Sequence, residues 1–305
     1  MDIETFQQLP TTEVARLIRA AGPLVCGLPI NGTRRWFALE YPEQARLDDL
    51  SVYLEMTGHR HIDIYRLLFD HGVDTLLTPV FGPDLLERGD DYLKLAEQGL
   101  AWFAQQPAFL DFYEAYDVRV RVYGDVARWL SGARYAPLRQ IFDDLARRTA
   151  HHRRHRLFFG VCAHDSAETI AEIGVQFQRD HQRLPDKRAI VEAYYGEYVA
   201  PLNFFIGFDR PTLFDMPLIA TGNEDLYFTV SPSLYLDTPA LRSILYDHLY
   251  TRRVSDDYTG FSSDDWQTLA AFYRVNRQHV LGVGRPLIDQ HVWCPLPQVI
   301  WPDRR

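Results

Sequence analysis

The chain has 305 residues, 47% apolar and 24% charged, and its 32 Lys and Arg against 41 Asp and Glu leave a net charge of −9. That length is too great for a stapled mini-protein and suits a large domain. So acidic a balance argues against a general nucleic-acid binder, which needs a basic face for phosphate. Cys26, Cys162 and Cys294 stand far apart without paired spacing, and no apolar run approaches the ~18 residues of a membrane span. The expectation is a reduced, cytoplasmic protein without disulfides, zinc knuckle, signal peptide or stable membrane insertion.

Taken in chain order, short apolar runs alternate with amphipathic stretches. Leu24–Ile30 reads as a strand, Ile62–His71 as a helix stopped by Gly72, Val73–Phe81 as a strand and Asp84–Gln105 as a helix. Val118–Tyr123 is the next strand, followed by a helix over Pro137–Thr149 and a strand over Leu157–Ala163. Helices over Ser166–Arg183 and Asp186–Tyr195, strands over Asn203–Phe208 and Leu226–Val230, and a helix over Thr238–Thr251 complete the pattern. Strands rich in β-branched and aromatic residues, bounded by Gly, Pro or charge, are those of a sheet buried on both faces. Asp186 and Asp237 offer capping side chains at helix starts. The expected fold is a single α/β domain over residues 1–305: an open, mostly parallel, six-stranded sheet with helices on both faces. Ligands of such sheets bind beyond the carboxyl ends of the strands, which directs attention to the loops after Ile30, Phe81, Ala163 and Phe208.

Several chemistries lack their motif. There is no GxGxxG, no GxxxxGK[ST], no HExxH and no GxSxG. The Asp pairs at 48/49, 90/91, 143/144, 256/257 and 264/265 do not extend to DDxxD and read as solvated helix ends. His151 and His155, at i and i+4 within RRTAHHRRHR, have the spacing to face one metal on a helix, but a basic connector between helix and strand is the preferred reading.

The strongest local signal is Leu-Pro-Ile-Asn31-Gly32-Thr33-Arg34-Arg35-Trp36-Phe37. A buried strand ends, Asn-Gly turns the chain, and two arginines follow. Exposed backbone N–H groups beside two guanidinium forks suit a polyanion such as a diphosphate. The competing reading pairs both arginines with surface carboxylates.

This segment resembles the diphosphate-binding loop of the cis-prenyltransferase (undecaprenyl diphosphate synthase) fold family, D-G-N-G-R-W, with Arg35-Trp36 matching its last two residues. Phe81-Gly-Pro-Asp84-Leu-Leu-Glu-Arg88 is similar to F-S-x-E-N-x-x-R, Arg210-Pro-Thr212 to R-x-S, and Asp225-Leu-Tyr-Phe228 to E-L-Y-F. GTRRWF, LLxRGDxY, AYYGEYV, DxPL, LYFTV and ILYDHxY are closer still to one branch, that of the tuberculosinyl adenosine transferases, isotuberculosinol synthases and kolavelool synthases. These motifs run in order from Gly32 to about Gly284.

The resemblance implies a bicyclic C20 substrate, a tuberculosinyl (halimadienyl) or kolavenyl diphosphate, whose allylic C–O bond ionises. Capture of the cation by water is the first expectation, and transfer to adenosine or another nucleophile the alternative. Chain elongation ranks lower, because Phe208 stands where the family places a further arginine, and a non-catalytic binding subunit is the remaining reading. The resemblance assigns Gly32, Thr33, Arg34, Arg35, Arg88 and Arg210 to the diphosphate, Tyr53 and Tyr92 to the cation and nucleophile, Asp90 to a base or cation stabiliser, and Asp225 to magnesium. It further implies Mg2+ as cofactor and a homodimer. Asn31 departs from the pattern, which has aspartate there as metal ligand or base; asparagine is a weaker partner for a hard cation and takes no proton at neutral pH. Three readings follow: an inactivated variant, replacement by Asp84, Asp90 or Asp225, or sufficiency of the arginines.

Overall fold

The computed structural model describes residues 1–47, 49–82, 90–253, 258–287, 292–295 and 298, with the backbone alone at 90–93, 95, 96, 134 and 287. Six strands form one sheet: β1 (Val25–Gly27), β2 (Thr75–Phe81), β3 (Val118–Tyr123), β4 (His155–Val161), β5 (Phe204–Phe208) and β6 (Asp225–Thr229). Their order is β3-β4-β2-β1-β5-β6 and every pairing is parallel. All six expected strands are present, within three residues of the expected bounds. A separate antiparallel pair, β7 (Arg285–Leu287) and β8 (Val292–Cys294), lies near the end of the chain.

The helices are α1 (Ile3–Gln8), α2 (Thr11–Ala21), α3 (Thr33–Glu40), α4 (Pro42–Arg46), α5 (Leu50–Asp70), α6 (Asp90–Gln105), α7 (Pro107–Ala115), α8 (Val126–Trp129), α9 (Ala136–Arg148), α10 (Ala167–His181), α11 (Lys187–Tyr195), α12 (Thr238–Tyr246) and α13 (Ser263–Asn276). Asp186 and Asp237 cap α11 and α12 as expected, each accepting from the backbone N–H three residues on. Asp49 caps α5, and Asp265 completes a capping box with Ser262. The helix expected over Ile62–His71 is the last part of the 21-residue α5.

Strand alternation sends neighbouring side chains to opposite faces. Cys26, Leu76, Leu157, Phe159, Phe204 and Ile206 join a core closed by α1, α2, α3, α5, α7, α9 and α12. Val25, Leu77, Phe158 and Phe205 face the other way, against Val191, Tyr194 and Tyr195 of α11. The chain reverses direction across the sheet at β1, whose neighbours are β2 on one side and β5 on the other. The crevice at such a switch point is where open α/β sheets bind ligands. No described helix is long and apolar enough to cross a membrane, and no cysteine forms a disulfide.

Candidate active site

The turn after β1 stands at this switch point. Gly32 is left-handed (φ 76°), and a Cβ there would come within 2.8 Å of the Phe208 ring and 3.0 Å of Pro232, so only glycine lets the loop pass between them. Ser233 pins the residue before it: Asn31 N–H donates to Ser233 Oγ at 3.1 Å, and Ser233 N–H to the Asn31 carbonyl at 3.1 Å. From Gly32 the chain enters α3, whose N-terminus has no side-chain cap and no acidic residue in its first turn. Its leading N–H groups are therefore open to an anion. Trp36 and Phe37, buried immediately after the two arginines, fix the helix in the core.

Arg34 and Arg35 leave this turn on either side of it. Arg34 lines a cleft of about 830 Å3, counting its open mouth, together with Thr33, Tyr53, Thr57, His61, Val80, Phe81, Leu100, Trp102 and Phe103. Arg35 lies over the Phe208 ring at 5.2 Å and 3.6 Å from Asp209 Oδ2. That ion pair is half exposed and so contributes little to stability, which leaves the guanidinium able to meet a ligand. Arg210, exposed and two residues beyond the end of β5, reaches the same edge of the sheet.

The cleft grades from polar to apolar. At its mouth Thr33 Oγ1 and the Tyr53 hydroxyl hydrogen-bond at 2.8 Å, and Phe37 meets the Tyr53 ring edge-on at 5.3 Å. Tyr53, Thr57 and His61 recur every four residues along α5 and so form one stripe, about 12 Å long, down the cleft wall. Gly58 permits α6 to approach, since a Cβ there would fall 2.8 Å from Trp102 Nε1. His61 Nδ1 donates to the Thr57 carbonyl at 2.7 Å, which leaves Nε2 as an acceptor, and burial holds the imidazole neutral by pushing its pKa down to about 4. Such a site offers N–H groups and guanidinium forks at one end and a largely apolar, open-mouthed cleft at the other.

The structure brings together Asn31, Gly32, Thr33, Arg34, Arg35 and Tyr53, with Arg210 at the same edge. Asp84 and Arg88 lie outside the described residues, as do the side chains of Asp90 and Tyr92, whose backbone forms the start of α6. Asp225 is a correction. It opens β6 opposite Phe204, the first residue of β5, and so stands at the amino end of the sheet, about 13 Å of strand from the carboxyl end. There it accepts from His248 Nδ1 at 2.6 Å and faces Arg252 and Arg253 at 3.7 and 3.4 Å, so its carboxylate is engaged apart from the turn.

For a magnesium ion the described side chains at the turn offer one carboxylate, that of Asp209, already facing Arg35, beside neutral oxygens such as those of Asn31 and Thr33. Magnesium is ordinarily held by one or two carboxylates plus substrate phosphates. So thin a donor set fits an ion that arrives on a diphosphate and does not fit one resident without it. Sequence reading missed Asp209, His61 and Ser233. Asp209 sits directly before Arg210 at a strand end, which was the available signal; His61 beside His59 has the pattern of a solvated helix face.

A strand-turn-helix with open N–H groups and two arginines leads into a cleft at the carboxyl end of a six-stranded parallel sheet, an arrangement that suits a ligand with an anionic head and an apolar body. Among solved structures, lavandulyl diphosphate synthase from Lavandula x intermedia, in complex with dimethylallyl diphosphate, superposes with a TM-score of 0.57 at 15% identity, covering 78% of this chain and 97% of that one. A probable undecaprenyl diphosphate synthase from Campylobacter jejuni gives 0.52 at 11% identity, covering 77% and 97%. No family model matches the chain. Tuberculosinyl adenosine transferase of Mycobacterium tuberculosis is 42% identical over 291 residues, 94% of this chain and 96% of the relative. The (+)-kolavelool synthase of Herpetosiphon aurantiacus is 26% identical over 282 residues, 88% and 89% of the two chains. The chain belongs to the tuberculosinyl adenosine transferase family.

Proposed function

We propose that the chain transfers a bicyclic diterpenyl group, of tuberculosinyl or kolavenyl type, from its diphosphate to adenosine or a similar nucleophile. The observation that carries this reading is the continuity of the Arg34 turn with the apolar cleft behind Tyr53. The diphosphate lies against the N-terminus of α3 between Arg34 and Arg35, and the rings lie along the α5 stripe. As the C–O bond breaks, its electron pair leaves with the diphosphate, and preorganised guanidinium and N–H groups stabilise that growing charge more than they stabilise the bound substrate. The Tyr53 ring faces the allylic cation until the nucleophile's lone pair closes the new bond.

The order of the two outcomes changes from the one expected from sequence. Transfer now stands first, because the 42%-identical relative is a transferase, and water capture is the second reading, favoured by the kolavelool synthase. Incubation with cyclised C20 diphosphates, with and without adenosine, separates them by product mass. A nucleoside adduct is the expected product. A diterpene alcohol in the presence of adenosine establishes the second reading; no turnover overturns both.

Asn31 supplies a further expectation. Its backbone is held by Ser233, so Asn31→Asp places a carboxylate at an unchanged position beside the turn. A charge-assisted contact to metal-bound diphosphate is worth ~1.5–3 kcal/mol, so the variant should gain one to two decades in kcat/KM with Mg2+ present and nothing without it. Equal rates for both proteins across a magnesium titration would show that the arginines suffice.

A further inference from the structure

We propose that Glu114, His151 and His152 form a binding site for one zinc-class transition-metal ion at the amino end of β3 and β4, at the opposite end of the strands from the cleft. One ligand atom from each of the three residues lies within 4.8 Å of the others. Glu114 comes from the last turn of α7, and the two histidines from the connection between α9 and β4.

His152 is the anchor. Its side chain is 4% exposed, and Nδ1 donates to Asp117 Oδ1 at 2.8 Å. The Arg154 N–H donates to Asp117 Oδ2 at 2.9 Å, so the carboxylate is itself held. With Nδ1 engaged, Nε2 carries the lone pair, which is the arrangement in which a carboxylate orients a metal-bound histidine. Nε2 lies 3.4 Å from Glu114 Oε2. That is long for a charge-assisted hydrogen bond, which runs about 2.7–2.9 Å. It is close to the edge, about 3.3 Å, of a tetrahedron whose metal–ligand bonds are about 2.0–2.1 Å. The exposed His151 ring lies 4.0 Å from that of His152 at 38°, and a rotation of its side chain away from the stack brings its nitrogen to the third position.

Two imidazoles and one carboxylate suit zinc or cobalt and are too few and too nitrogen-rich for magnesium or calcium. The fourth position is left to water. The i, i+4 spacing of His151 and His155 does not make a pair, in keeping with the connector reading preferred from sequence: His155 opens β4 and stacks on Phe69 at 4.3 Å. An ion at Glu114, His151 and His152 ties the connection before β3 to the connection before β4, and so braces the outer edge of the sheet. Arg153 and Arg154 beside it weaken binding, and Glu114 and Asp117 offset them.

The test is a titration of chelator-stripped full-length protein with zinc sulfate against a chromophoric chelator. One zinc per chain is expected, with a rise in Tm of about 5 °C at a hundredfold excess over Kd. His151→Ala and Glu114→Gln, both at exposed positions, should each weaken binding at least tenfold while circular dichroism is unchanged. Cobalt should give the visible absorption of a tetrahedral site in the wild type and lose it in His151→Ala. Absence of stoichiometric binding, or binding that both variants leave intact, would overturn the site.

Discussion

Replacing Arg34 or Arg35 by alanine should each lower kcat/KM for the diterpenyl diphosphate by about 10²–10³, the cost of removing one preorganised donor from a developing oxyanion. The loss should fall on kcat more than on KM. The diphosphate is already charged when bound, but the bond it leaves places a further negative charge on its bridging oxygen, and that increment is what the guanidinium groups meet. The two arginines act from different sides of one turn, Arg34 within the cleft and Arg35 against Phe208 and Asp209. The double variant should therefore lose more than either single one, though less than the product of both, because neighbours sharing a ligand are coupled. Lysine at 35 should recover only part of the rate, since an ammonium keeps the charge and loses the planar fork. Steady-state kinetics on the four proteins check this, and a loss below tenfold in both single variants would remove the turn from the reaction.

The second large effect concerns stability. Burial pushes the imidazoles of His61 and His155 down to about 4, from 6.5 in an unfolded chain. The folded protein thus holds both neutral where the unfolded chain would be protonated. Their contribution is complete above pH 6.5, is lost as the pH falls from 6.5 towards 4, and changes no further below that. The loss amounts to roughly 3 kcal/mol for each group at the acid end of the window. Asp125, whose carboxyl burial raises, works in the opposite sense and gains stability as pH falls. Urea unfolding at pH 7.5 and pH 4.5 should show a markedly lower midpoint at the acid pH, and His61→Leu or His155→Leu should each flatten part of the difference, His71 and His248, which burial also pushes down, keeping the rest. Equal pH dependence in wild type and both variants would contradict the assignment.

The six strands were legible because they are central, apolar on both faces and bounded by turn residues, so composition alone marks them. α13 was not read, although Trp266, Leu269, Ala270 and Tyr273 stand at helical spacing, and it buries none of its residues against this chain. α1 buries only Phe6. Within the site, the Asn31–Arg35 turn was legible because strand end, Asn-Gly and paired arginines are contiguous. Asp209 and Ser233 reach the turn from more than 170 residues away, through the pairing of β5 beside β1, which no local pattern encodes. Asp225 failed for the complementary reason. A motif names a residue type, whereas strand direction decides which end of the sheet receives it, and β6 starts with Asp225 at the amino end, away from the turn.

The central claim is that the turn after β1 grips a diphosphate. Calorimetric titration of inorganic diphosphate into the wild-type protein and the Arg34→Ala/Arg35→Ala double variant tests it most directly. Saturable binding by the wild type, reduced at least a hundredfold in the double variant, is the predicted result; equal affinity in the two proteins, or no binding to the wild type, would contradict it.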